Sequence, residues 1–220
     1  MRSLLACLLL TCVLWIPGLS AEAPDDAALQ ELLHGTDGVV KHWISAPELV
    51  VLESVMMYHS GEARSYTATS ERLTNEEVNE LVSDLTAALG LLTGNTYNGF
   101  AAIHHESVIA GTEARVLRSG QIVAGRYRDV RNLTHTIGLG GRASRTDGTI
   151  TGAAIILDDD FDRTSPARRL LRMHELGHAL GYNHVQSRIS IMNPSIGPEP
   201  TLFDREAARV AFHAPLSNSN

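Results

Sequence analysis

The stretch HELGHALGYNH, residues 174–184, carries three histidines, one glutamate and two glycines in eleven positions. His174 and His178 are four residues apart, so on a helix their side chains project from the same face. Gly181 has no Cβ and can adopt a positive φ, which lets a chain leave a helix abruptly. The spacing therefore predicts a helix that ends at Gly181, followed by a turn that carries His184 back towards the other two histidines.

This spacing is typical of a metal site. Three neutral imidazoles with a free fourth position characterise catalytic zinc, whereas structural zinc is usually closed by four ligands, often thiolates. Glu175 lies one step round the helix, where its carboxylate can reach a water at the ion without being a ligand. The sequence therefore predicts one catalytic Zn²⁺ bound by His174, His178 and His184, with Glu175 as the general base. The alternative, histidines that merely face solvent, requires a much rarer coincidence of spacing.

Strand and helix signals alternate along the rest of the chain. A capping box of Thr74 and Glu77 starts a helix that runs to Gly94. The helix that carries the histidines is predicted to begin at Ser165, with Pro166 in its first turn. Further helices are predicted over 25–35 and 201–213, and extended segments over 49–58, 64–69, 100–104, 121–130, 136–140 and 149–157. This order predicts an α/β domain in which helices pack on a sheet.

The N-terminus is typical of a secretory signal peptide, residues 1–21, because an apolar run over 4–16 precedes small residues. Cys7 and Cys12 both lie in it, so the mature chain has no cysteine and must be stabilised by packing and metal rather than by disulfides. The lipoprotein-like sequence at Cys7 comes too early for a lipid anchor to be expected. We expect an N-terminal extension or short pro-segment over 22–48, a catalytic domain over 49–215 and a tail over 216–220.

Charge and the remaining motifs limit the other functions. The chain of 220 residues has a formal net charge of −7 and its arginines are scattered, so nucleic acid is not an expected partner. His104 and His105 are neighbours that point to opposite faces of a strand, which disfavours a second metal site with Glu106. The acidic run Asp158–Asp162 could bind calcium, or it could cap the following helix.

The histidine motif resembles a known family. HExxHxxGxxH matches the signature of the metzincin zinc peptidases at every fixed position. Met192, in SIMNP eight residues beyond His184, is similar to their Met-turn, and the proline two residues later resembles the matrixin branch. The resemblance implies a twisted, mostly parallel sheet packed on two helices and a small C-terminal subdomain with one helix. It also implies that Met192 forms an apolar floor under the ligands. It further implies that the segment Gly138, Leu139 and Gly140 is an edge strand that pairs with an extended substrate.

The sequence therefore predicts a secreted or extracytoplasmic zinc metalloendopeptidase that acts on proteins or peptides, without a transmembrane span, and we expect a monomer. Two alternatives use the same residues. A zinc amidase acting on cell-wall peptides would keep the whole site, and a peptide-binding module would keep the fold without catalysis. The intact Glu175 argues against the second alternative.

Overall fold

The computed structural model describes residues 26–34, 37–53, 55–60, 64–108, 115–195 and 197–213. The predicted signal peptide and the predicted tail lie outside these residues. The elements, in chain order, are α1 (Asp26–Leu33), β1 (Glu48–Glu53), β2 (Val55–Ser60), β3 (Arg64–Thr69), α2 (Asn75–Leu92), β4 (Ile103–Ser107), β5 (Gln121–Tyr127), α3 (Val130–Thr134), β6 (Gly138–Ser144), β7 (Ile150–Asp158), α4 (Asp159–Thr164), α5 (Arg168–Leu180) and α6 (Leu202–His213).

Five strands form a mixed sheet in the order β4-β1-β5-β7-β6. The first four are parallel, and β6 pairs antiparallel with β7 at one edge. Strands β1 and β7 are apolar along almost their whole length and buried on both faces, as expected of inner parallel strands. The predicted α/β class and the mostly parallel sheet are confirmed.

The main core lies between one face of the sheet and the helices. Leu49 and Val51 of β1 point into it, whereas Val50 and Leu52 belong to a smaller cluster on the opposite face. This alternation follows from the two-residue period of a strand. Helices α2 and α5 both contribute fully buried leucines to the main core: Leu81, Leu85, Leu89, Leu171, Leu176 and Leu180.

Helix α2 begins as the sequence predicts. Thr74 and Glu77 form a reciprocal capping box, in which the Glu77 N–H donates to the Thr74 side chain and the Thr74 N–H donates to the Glu77 carboxylate. This pair satisfies two of the free N–H groups at the helix start.

The N-terminal segment shares the main core with the rest of the chain. Ala28, Leu32 and Leu33 of α1 are at most 4% exposed, and Trp43 is also buried there. Part of the predicted extension, residues 22–48, therefore packs inside the same domain as the predicted catalytic residues.

The extended segment predicted over 49–58 contains two strands. Strand β1 belongs to the five-stranded sheet, while β2 pairs antiparallel with β3 in a separate ribbon. The β-branched and aliphatic residues of both strands are alike in composition, so the run does not reveal where the pairing partner changes.

The predicted start of the histidine-bearing helix at Ser165 is wrong. The Asp158 side chain accepts a hydrogen bond from the Phe161 N–H and starts the short helix α4, which ends at Thr164 with Ser165 as its C-cap. Helix α5 then begins at Arg168. Short helix α3 is not anticipated by the sequence analysis.

Within the described ranges, no helix is both long enough and apolar enough to cross a membrane.

Candidate metal centre

The turn after α5 brings the histidines together. Gly181 has φ of +120° and ends the helix, and the Tyr182 N–H donates to the Gly177 carbonyl. A Cβ at position 181 would overlap the Lys41 carbonyl oxygen, so the position requires glycine for space as well as for conformation. The predicted break at Gly181 is confirmed.

The three histidine Nε2 atoms face one point. The His174–His178 and His174–His184 Nε2 distances are both 3.2 Å, and the His178–His184 distance is 3.1 Å. Ligands about 2.0–2.1 Å from a tetrahedral zinc ion would lie about 3.3 Å apart. The three side chains are therefore close enough to bind one metal ion, as the sequence predicts.

Hydrogen bonds at Nδ1 of His174 and His178 determine which nitrogen of each ring carries the lone pair. His174 Nδ1 lies 2.7 Å from the Ile191 carbonyl oxygen, and His178 Nδ1 lies 3.0 Å from the Tyr182 carbonyl oxygen. Because a carbonyl oxygen only accepts, each Nδ1 carries the proton in the neutral ring and each Nε2 carries a lone pair. Two lone pairs 3.2 Å apart repel one another, and a cation between them removes that repulsion. The donor set therefore fits a metal ion.

Burial keeps these rings neutral. Desolvation, and next the neighbouring His174, lower the pKa of His178 to about 3. Burial also lowers the pKa values of His174 and His184 below the ordinary value. Neutral imidazole is the form that ligates metals, so the site needs no deprotonation at neutral pH.

Glu175 is 4% exposed and lies between α5 and β6. A Cβ added to Gly138 would lie 2.6 Å from Glu175 Oε1, so β6 passes directly over the carboxylate. Burial raises the pKa of Glu175 to about 8, although a hydrogen bond from the Gly140 backbone opposes the rise. A carboxyl group with a strongly raised pKa next to three converging imidazoles is a candidate acid–base group.

Met192 lies on the other side of α5. It is 1% exposed, and its Cε would be 3.0 Å from a Cβ added to Gly177, with Sδ closer still. Its carbonyl oxygen accepts from the Val185 N–H, next to His184. The structure thus places Met192 in contact with the helix between two histidines. The sequence analysis missed the role of Gly177. The only sequence feature that could have indicated it is a glycine between His174 and His178.

The predicted substrate segment lies on β6, which is an edge strand as the resemblance implies. Gly138 and Gly140 face α5, because added Cβ atoms there would contact Glu175 and His178. Leu139 points the other way and packs near Tyr127 and Ile156. Pairing of this edge with a peptide remains a prediction.

Arg142, also on β6, is a second residue that the sequence analysis missed. Its guanidinium donates to the carbonyl oxygens of His178 and Tyr182 and to Asn183 Oδ1. It therefore holds the end of α5 and the start of the loop that leads to His184. Arg142 lies thirty-six residues before His178, and nothing in the sequence around it predicts that it binds the end of α5.

Several side chains of the other candidate clusters bind partners within the protein. His105 Nε2 lies 2.9 Å from Glu53 Oε1, while His104 points towards Glu48, so the two rings diverge as predicted. Asp158 caps α4, and Asp162 binds two arginines. In the part of the chain that the structure describes, the three histidines are the one group of three or more potential ligands close enough for a metal ion.

Comparisons with known proteins add little to this geometry. No family model matches the chain, and no curated protein matches it. Among solved structures, one match is a chain of the GM1-bound form of the ECX AB5 holotoxin, with 12% identity over 84% of this chain and 89% of that chain. The TM-score is 0.39, too low to establish a common fold.

Proposed function

We propose that the protein is an exported zinc metalloendopeptidase of the matrixin-like metzincin type. One observation carries the proposal: three Nε2 atoms within 3.2 Å of one another, beside a buried glutamate on the same helix. The motif HExxHxxGxxH, the contact of Met192 with α5 and the antiparallel edge strand beside the helix support it.

The donor set fits zinc better than calcium or magnesium. All three ligands are imidazoles, which suit zinc, and harder ions such as calcium and magnesium prefer oxygen. The carbonyl oxygens that hold His174 and His178 at Nδ1 are the outer partners commonly found behind zinc-binding histidines.

The chain's own residues then have distinct roles. When bound, zinc would lower the pKa of a coordinated water from about 15.7 towards 7 and polarise the scissile carbonyl. Glu175 accepts the proton of the attacking water on its carboxylate and delivers it to the departing amine. The edge of β6 holds the extended peptide across the site by backbone hydrogen bonds, with the glycines allowing close approach to α5.

The protonation state of Glu175 depends on the centre beside it. With a pKa of about 8, the carboxyl group of the metal-free protein is mostly protonated at pH 7. Positive charge at the three histidines favours the carboxylate, because an opposite charge nearby lowers a carboxyl pKa. A charged centre would therefore increase the fraction of Glu175 that can act as the general base.

The test combines metal analysis with substrate profiling. We expect purified protein to bind about one equivalent of zinc and to cleave a proteome-derived peptide library, detected by mass spectrometry, with cleavage lost in a chelator. Glu175→Gln is the catalytic control. Zinc-loaded protein that cleaves cell-wall fragments and no peptide would favour the amidase, and protein that binds no zinc would overturn the proposal.

A further inference from the structure

Helix α1 is bonded to the loop on the N-terminal side of His184. The Leu32 carbonyl oxygen accepts from the Asn183 N–H at 2.8 Å and from Asn183 Nδ2 at 3.3 Å. Asn183 is the residue directly before His184, so its backbone is fixed to α1.

The same helix is bonded to the loop on the C-terminal side. Glu31 accepts from the Gln186 N–H at 2.8 Å, from Ser187 Oγ at 2.6 Å and from the Ser187 N–H at 3.4 Å. Two consecutive residues of α1 therefore bind the loop on either side of His184: Leu32 on the N-terminal side and Glu31 on the C-terminal side. His174 and His178 differ from His184 in this respect, because the hydrogen bonds of α5 fix their backbones.

The segment that follows α1 supports the end of α5. Trp43 Nε1 donates to the Ala179 carbonyl oxygen at 3.0 Å, and the Lys41 carbonyl lies against Gly181. Together with the burial of Leu32, these contacts make residues 26–34 and 37–43 part of the support of the turn that leads to His184.

We propose that residues 26–43 are a permanent part of the metal centre and that Glu31 is a positioning residue for His184. The proposal rests on the proposed function, since it assumes that His184 ligates zinc. It also bears on the two alternatives for residues 22–48: residues 26–43 stay with the active protein, so a pro-segment that is removed during activation does not include them.

The expected effect of losing Glu31 is moderate. Its carboxylate is at the surface, so water replaces it on the loop N–H groups, and the loop remains bonded to Leu32 and Met192. The freed residues then lose conformational entropy when His184 is fixed on the metal. Outer partners that bond a ligand directly change metal affinity by about 10–100-fold, so a partner of the loop should change it by about 3–10-fold.

The experiment measures zinc affinity on the full chain. Metal-free wild type, Glu31→Ala and Glu31→Gln are titrated with zinc against a chromophoric chelator, and the rate of zinc release is followed by stopped flow. Glu206→Ala is the matched control, since Glu206 is a surface glutamate that bonds only to Arg209 on α6 among the contacts that the structure gives it. We expect Glu31→Ala to raise the Kd and speed release, Glu31→Gln to lie between it and wild type, and the control to match wild type.

Three outcomes separate the claims. Equal zinc Kd values for Glu31→Ala and Glu206→Ala overturn the positioning role alone. A wild type without measurable zinc affinity overturns the proposed function and this inference with it. If Glu31→Ala does not fold, Ser187→Ala removes only the hydroxyl bond, and a smaller rise in Kd supports the same role while an unchanged Kd contradicts it.

The intact mass of the active protein tests the rest of the proposal. When the full chain is exported from an expression host and the zinc-loaded, peptide-cleaving fraction is isolated, we expect its first residue to precede Asp26. An active fraction that begins after Trp43 would overturn the permanence of this segment.

Discussion

At the scale of single residues, Glu175 combines two requirements that oppose one another. Its burial keeps the carboxyl group away from bulk water, yet the same burial raises its pKa to about 8 and favours the form that cannot accept a proton. The hydrogen bond from Gly140 offsets part of this rise. If Glu175 is the general base that we propose, its protonation state would depend on the charge of the neighbouring histidine centre.

We expect Glu175→Gln to separate metal binding from catalysis. The amide has the shape of the carboxyl group but cannot act as the base, so kcat should fall by about 10²–10⁴-fold. Because Glu175 is not one of the three converging ligands, zinc stoichiometry should stay at the wild-type value, as measured by atomic emission on the dialysed protein. A variant with near wild-type kcat would exclude Glu175 as the base.

The histidines could be predicted from sequence because their geometry is local. Four residues of helix and one glycine turn bring His174, His178 and His184 together, and each step follows from backbone conformation alone. Gly177 and Arg142 could not be predicted in this way. Their roles depend on Met192 and on the end of α5, which approach them only in the tertiary structure.

At the scale of elements, β6 and α5 approach unusually closely. Gly138 and Gly140 lie on the face of the strand that contacts the helix, and a Cβ at position 140 would be 2.7 Å from His178 Cβ and would overlap the Glu175 carbonyl oxygen. A side chain at either of these two positions would separate the two elements. The glycines therefore set the depth at which the strand edge lies over the site.

We expect Gly140→Ala to destabilise the protein by about 1–3 kcal/mol, since the neighbouring atoms belong to backbone and Cβ and cannot move aside like a flexible side chain. Gly141→Ala is the matched control on the same strand, because an added Cβ there meets nothing within 4 Å. The free energy of unfolding from urea titration distinguishes them. Equal values for the two variants would show that the strand can shift without cost.

Element boundaries were harder to predict than element types. Ser165 and Pro166 form a good helix start in isolation, but Asp158 seven residues earlier already caps a helix that ends at Thr164. Two competing start signals about two helical turns apart leave the choice to tertiary contacts. Here Asp162, near the end of α4, binds buried arginines, which favours the short helix.

At the scale of the whole molecule, a buried charge cluster joins the sheet to the helices. Asp162 of α4 is fully buried and accepts hydrogen bonds from Arg126 of β5 and Arg172 of α5. Arg126 also binds Glu77 and Arg172 also binds Asp84, both on α2. The Asp162 carboxylate thus joins α4, α5 and β5 directly, and the two arginines extend the cluster to α2, with Arg172 two residues before the histidine motif.

We expect Asp162→Asn to destabilise the protein by about 3–5 kcal/mol, because it leaves two buried guanidinium groups without their shared counter-ion. Asp160→Asn, at an exposed position of the same helix, should change stability by less than about 0.5 kcal/mol. Urea denaturation of the metal-free proteins at pH 7 measures both values. A loss below about 1 kcal/mol for Asp162→Asn would show that the cluster does not hold the layers together.

Glu77, which binds Arg126 of the same cluster, should make the stability of the fold depend on pH. Partial burial alone would raise the pKa of Glu77, but the Thr74 N–H and the Arg126 guanidinium bind its carboxylate, so the pKa falls from 4.5 to about 2. A lowered pKa in the folded state stabilises the protein above pH 4.5, and this contribution is lost as the pH falls towards 2.

We therefore expect Glu77→Gln to be less stable than wild type by about 1–2 kcal/mol at pH 7, less than the full pKa shift implies because water screens a partly exposed group. The difference between the two free energies of unfolding should shrink as the pH falls from 4.5 towards 2, since protonation removes the same charge from the wild type. Urea titrations over this range measure it. Glu76→Gln, its exposed neighbour on α2, controls for the loss of one surface charge. A difference that stays constant down to pH 2 would show that the carboxylate form of Glu77 does not contribute to stability.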